Sequence, residues 1–102
     1  MTDYYLSTGI VGTDTHEIIK NGDINKARKK ARKILDDTGK PVRVYKIIEK
    51  GTSTLYLGKV KRWGYYVDRY GIDRSDIYAC WVNPDGVGYE LRYDGSLGRK
   101  ER

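Results

Sequence analysis

Apolar residues recur at Ile24, Ala27, Ala31, Ile34 and Leu35, intervals that draw one stripe along a helix of 3.6 residues per turn. Lys26, Arg28, Lys29, Lys30, Arg32 and Lys33 occupy the positions between them. Asp23 stands where an N-cap carboxylate accepts a backbone N–H. Gly39 stands where the chain leaves a helix in the left-handed conformation, and Pro41 blocks continuation. The spacing predicts a helix over about residues 24–37, with its apolar stripe against a sheet.

Elsewhere the period shortens to two. Tyr4–Val11 reads as a strand, turning at Gly12-Thr13-Asp14 into a short one at His16–Ile19, and Asn21-Gly22 then breaks the chain. Val42, Val44, Ile47 and Ile48 mark a strand, and Gly51-Thr52-Ser53 a turn. Leu55, Leu57 and Val60 mark another strand, whose alternation slips at Gly58, the signature of a bulge. Trp63–Tyr70 reads as further strand bent at Gly64, and residues 71–76 as a polar loop. Ile77–Val82 and Val87–Tyr93 bracket Asn83-Pro84-Asp85-Gly86, a strong hairpin signal. The resulting class is α+β: a small antiparallel sheet of about five strands with one amphipathic helix packed on one face. Residues 1–97 form a single domain, and 98–102, which have nothing apolar to bury, form a mobile basic tail.

The 102 residues suit one core. Aromatic area comes from ten Tyr and two Trp, with no Phe. Every buried phenol needs a hydrogen-bond partner, which leaves two readings: rings exposed at an interface, or half-buried sheet positions with the hydroxyl in water. No segment approaches the roughly 18 apolar residues of a membrane span. The N-terminus lacks the positive flank of a secretory signal. A lone cysteine, Cys80, allows no intrachain disulfide. The expectation is a cytoplasmic protein with no membrane partner.

Charge changes the picture most. The net charge is +6, but residues 26–62 hold thirteen lysines and arginines against three carboxylates, leaving the remainder of the chain net negative. After the helix come Arg43, Lys46, Lys59, Lys61 and Arg62, interleaved with Tyr45, Tyr56, Trp63 and Tyr65. Cations neutralise phosphates and flat rings stack on bases. The candidate phosphate-binding residues are therefore Lys26, Arg28, Lys29, Arg32, Lys33, Arg43, Lys59, Lys61 and Arg62, with Tyr45, Trp63 and Tyr65 as aromatic contacts. A merely solvated basic surface is the simpler alternative.

Catalytic chemistry finds little to build on. His16 and Cys80 are single residues of their kinds, so no zinc site of ordinary ligand count can form within one chain. A Cys–His pair requires the fold to bring positions 16 and 80 together, and Cys80, between Ala79 and Trp81, reads as a buried, inert thiol. No phosphate-loop or dinucleotide fingerprint is present. Gly9-Ile10-Val11-Gly12 has the bare spacing of a Gly-x-x-Gly loop, but with apolar residues inside and no flanking helix pair. Asp36 and Asp37 oppose the macrodipole at the helix C-terminus and balance Arg32 and Lys33, four residues earlier. The expectation is a protein that is not an enzyme and uses neither cofactor nor metal.

The run from Ala27 to Leu35 (ARKKARKIL), continued by Gly39 to Tyr45 (GKPVRVY), resembles a helix–turn–strand unit of short accessory proteins from phages and mobile elements. The resemblance implies an accessory or counter-defence role, such as that of anti-CRISPR inhibitors or nucleotide-sequestering sponges. Tyr89–Arg99 (YELRYDGSLGR) is similar to one unit of a YD-type repeat, but a single copy lacks the neighbours such arrays need, so a hairpin is expected. Together these features predict a non-enzymatic binding module contacting nucleic acid, a ribonucleoprotein or a nucleotide. The alternative is a protein–protein inhibitor or adaptor with a host protein target, using exposed Tyr/Trp and a sheet edge, with homo-oligomerisation open to it.

Overall fold

A computed structural model describes residues 2–8, 16–49, 53–62, 69–71 and 79–100. Its elements are β1 (Thr2–Ser7), β2 (His16–Gly22), α1 (Ile24–Thr38), β3 (Val42–Glu49), β4 (Ser53–Arg62), β5 (Ala79–Val82), β6 (Gly88–Leu91) and β7 (Leu97–Lys100). The strands form one sheet in the order β2-β1-β3-β4-β5-β6-β7, every neighbouring pair antiparallel. α1 links β2 to β3 across the intervening β1 and packs against β1, β2, β3 and β4. The class is α+β, as expected; among the described residues there is one helix, and the strands number seven where about five were predicted. Among the described residues no helix is long and apolar enough to cross a membrane.

α1 forms where the stripe predicts it. The Asp23 carboxylate accepts from the Lys26 N–H at 2.8 Å, and Gly39, at φ 74°, donates its N–H to the Leu35 carbonyl at 2.7 Å. Ala27, Ala31, Ile34 and Leu35 are buried, and Ile24 packs against them partly exposed. They meet Tyr4 and Leu6 of β1, Val42 and Val44 of β3, Val60 of β4, Trp81 of β5 and Leu91 of β6. Strand alternation explains the set, since every second residue faces the helix.

Two irregularities tune the sheet. Asn21-Gly22 does not break the chain: both residues lie in β2, where Asn21 takes a positive φ of 55° and the register with β1 shifts between Thr2 and Tyr4. The Asp3 carboxylate, accepting from the Asn21 N–H at 3.0 Å, holds this bulge. The predicted slip at Gly58 is a register shift against Val44 and Tyr45 of β3. A Cβ at Gly58 would lie 2.6 Å from Trp81 Cε2 and 2.7 Å from the Val82 carbonyl oxygen, so the missing side chain makes room for the buried indole. The indole N–H donates to Asn83 at 2.8 Å, leaving the buried ring satisfied.

The same turn is used twice. Asn83 exchanges backbone hydrogen bonds with Gly86 and Val87, and Arg92 with Gly95 and Ser96; Asp85 and Asp94 each accept from the N–H two residues on, at 2.9 Å. Gly86 and Gly95 both stand at φ +91°. The Ser96 hydroxyl and backbone N–H hold the Asp94 carboxyl below its ordinary value. The second turn sends the chain back as β7, so residues 98–100, expected to belong to a mobile tail, pair with β6 instead. Lys100 pairs with Tyr89, and Leu97 at the start of β7 pairs with the buried Leu91, an anchor that the polar sequence of residues 98–102 does not itself contain. The expected strand residues 9–11, the turn at 12–14, Gly51-Thr52, the run 63–68 with its bend at Gly64, most of the 71–76 loop, Ile77 and Tyr78 lie outside the described residues.

Candidate functional site

The nine candidate cations do not form one surface. Lys26, Lys29 and Lys33 are exposed on the outer side of α1, as predicted. With Ile19, Lys30, Arg32, Tyr93, Asp36 and Asp37 they line an open groove of about 490 Å³. Lys30 is drawn sideways into an ion pair with Glu17 of β2 at 3.3 Å.

Arg28 and Arg32 were expected in this exposed set and are not. Arg32 is only 6% exposed: its guanidinium lies 3.8 Å from the centre of the Tyr93 ring, donates to the Leu91 carbonyl and approaches Asp36 at 3.9 Å. Arg28 is half-buried, 4.6 Å from the centre of the Trp81 ring, and donates to Asn25 at 3.1 Å. Burial lowers its pKa, with Tyr4 acting in the opposite sense, yet an arginine stays charged. Both residues clamp the helix to the β5–β6–β7 side of the sheet through cation–π contacts, for which guanidinium is better suited than ammonium. The helix meets that side closely: a Cβ at Gly95 would collide with the Asn25 carbonyl. Arg62 is likewise engaged, pairing with Asp36 at 3.2 Å. Asp36 thus balances Arg32, as expected, and Arg62 as well.

Arg43, Lys59 and Lys61 are on the opposite face of the sheet from α1. Val42, Val44 and Val60 face the helix, so the residues alternating with them face away. Tyr45 is there too, directly opposite Tyr5 of β1 and Tyr56 of β4. The three rings form a ladder across three strands, with centroids 5.9 Å apart for Tyr5–Tyr45 and 5.4 Å for Tyr45–Tyr56, tilted at 51° and 52°. All three tyrosines are half-buried. Burial raises the Tyr56 phenol above its usual value, partly offset by the nearby Arg43. One register step away, exposed Arg43 is directly opposite Lys59, and neither makes an ion pair among the described residues. Like charges directly opposite in a sheet repel, so this pairing is unfavourable in the isolated protein. Trp63 and Tyr65, the other two aromatic candidates, lie outside the described residues. Tyr5 was not among the candidates, because its place beside Tyr45 depends on a pairing between strands some forty residues apart.

Cys80 is buried opposite Lys61 and Glu90, on the face away from the helix core. His16 belongs to β2, with β1, β3 and β4 between it and the β5 strand of Cys80, roughly 19 Å at the usual strand spacing. The fold therefore does not bring positions 16 and 80 together. Among the described residues no group of three or more His, Cys, Asp or Glu could hold a metal ion. No family model matches the chain, and neither curated proteins nor solved structures give a match.

Proposed function

We propose that this protein is a non-catalytic nucleic-acid-binding module whose contact surface is the sheet face opposite α1. The observation that carries the proposal is the like-charged pair Arg43 and Lys59 beside the Tyr5–Tyr45–Tyr56 ladder. A phosphate placed between the two cations offsets their repulsion, so a cost in the free protein becomes affinity in the complex. Lys61, two residues beyond Lys59 on the same strand, extends the basic track. The outer face of α1 offers its cations beside a single ring, Tyr93, which Arg32 already covers, and contributes long-range attraction instead. A cytoplasmic location and a counter-defence role of the kind the helix–turn–strand resemblance implies are compatible with this chemistry, with free nucleic acid or a ribonucleoprotein as the partner.

The test is the affinity of the purified chain for a fluorescent oligonucleotide across a salt series. Three neutralised phosphates give a slope of log K against log salt of about −2 on a single strand. Reversing Arg43 and Lys59 to glutamate abolishes binding, whereas reversing Lys26, Lys29 and Lys33 weakens it only moderately. Wild-type affinity in the Arg43→Glu/Lys59→Glu variant would remove the sheet face as the interface.

A second reading, a protein–protein inhibitor, draws on Ile48 and Leu55, 60% and 50% exposed on β3 and β4, and on the edge strands β2 and β7. It predicts that binding to a host protein falls on substitution of Ile48 and Leu55 and changes little with salt.

A further inference from the structure

We infer that the ligand of the sheet face is an unpaired strand, its bases spread one by one on the tyrosine ladder and its phosphates held by the neighbouring row of cations. This inference rests on the nucleic-acid reading above and names the form of nucleic acid. Two parallel rows run across the strands. The aromatic row is Tyr5, Tyr45 and Tyr56, and the cationic row is Arg43 with Lys59. On β3 the rows are two residues apart, about 7 Å of extended chain. A nucleotide has the same two-part form, with a flat base set to one side of a charged backbone.

Ring spacing excludes a duplex. Within a duplex, successive bases of one strand are about 3.4 Å apart and present no free faces. The tyrosine centroids are 5.9 and 5.4 Å apart, so one base per ring requires a strand stretched beyond stacking distance with its bases unstacked. Neighbouring strands of a sheet impose that repeat, and the tilt of each ring against the next leaves successive planes inclined rather than shared. A tyrosine phenol is neutral near pH 7 at its ordinary pKa of about 10, and burial moves Tyr56 further in that direction, so no phenolate repels the backbone. Stacking of this kind tolerates any base, because every base has a π-face, and selects for single-strandedness rather than sequence.

The experiment compares the unaltered chain's affinity for a labelled single strand of about twelve nucleotides with that for the same strand annealed to its complement. DNA and RNA versions are run in parallel. The single strand is expected to bind at least tenfold more tightly in either chemistry. Tyr45→Leu is expected to lose about 5- to 150-fold, the equivalent of ~1–3 kcal/mol for one stacked base, with the salt slope unchanged. Tyr45→Phe, which keeps the ring, retains affinity. Duplex binding equal to single-strand binding overturns the inference while leaving the nucleic-acid reading standing, as does full affinity in Tyr45→Leu. Failure to bind either form overturns both. The duplex comparison uses the native chain, so it decides the matter even if Tyr45→Leu does not fold.

Discussion

At Arg32 a guanidinium in the middle of a lysine-rich run is buried between the Tyr93 ring, the Leu91 carbonyl and Asp36. Arg32→Ala removes a charged hydrogen bond and a ring contact together and should cost about 2–4 kcal/mol in urea unfolding. Lys33→Ala next door should stay within roughly 0.5 kcal/mol. Equal effects of the two substitutions would contradict the clamp. Reversal of the whole helix run, Arg28 and Arg32 included, would accordingly damage the fold before it tested binding. The distinction was present in the sequence in weak form. At about 100° per residue, Arg28 and Arg32 fall roughly 20° and 60° from Leu35, on the border of the apolar stripe, while Lys26 and Lys33 point away. What the border cations would touch, Trp81 of β5 and Tyr93 of the β6–β7 turn, lies some fifty to sixty residues downstream. Tyr56 allows a second check at this scale. Burial raises its pKa and Arg43 opposes the shift, so Arg43→Gln should move the phenol titration further up in ultraviolet difference spectra. An unchanged titration would show that the two side chains do not share this face. Because the folded pKa lies above the unfolded one, the contribution of Tyr56 to stability is complete below about pH 10 and is lost as the pH rises through the folded value.

Among the elements, α1 was legible because every signal for it is local: an N-cap three residues from its partner N–H, a stripe of period 3.6, a glycine exit. The hairpin at Asn83–Gly86 and the slip at Gly58 were legible for the same reason. Strand β7 was legible in part: the hairpin expected over Tyr89–Arg99 is the β6–β7 pair, but residues 98–100 read as tail because their pairing rests on the turn at Tyr93-Asp94-Gly95 and on Leu97 packing against the core, not on apolar residues of their own. The Asn21-Gly22 pair misled in the other direction, since a dipeptide that usually ends a strand is here absorbed as a bulge by Asp3. Gly58→Ala tests how tightly the bulge and the buried Trp81 are coupled. The added methyl meets both the indole and the Val82 carbonyl and should destabilise by about 1–3 kcal/mol, with a shifted tryptophan emission. Wild-type stability in that variant would mean that Trp81 is not packed against β4.

Across the whole molecule, a single basic run in sequence divides onto two sides of a sheet, because a helix covers one face and alternate strand residues turn to the other. The composition suggested the chemistry of the proposed site, cations with tyrosines, but not its place. Which of the described tyrosines gather depends on register between β1, β3 and β4, while Trp63 and Tyr65 lie outside the described residues. The division has a consequence for stability. Lys59→Glu places an acid directly opposite Arg43, so it should stabilise the free protein by about 0.5–1 kcal/mol while weakening nucleic-acid binding. Loss of both stability and binding would argue that Lys59 is a structural residue. The most direct measurement is amide chemical-shift mapping of the labelled protein titrated with a single-stranded oligonucleotide. An interface on the sheet predicts the largest changes at Tyr5, Arg43, Tyr45, Tyr56 and Lys59, with small ones at Lys26, Lys29 and Lys33. Changes confined to α1, with the tyrosine ladder silent, would contradict it.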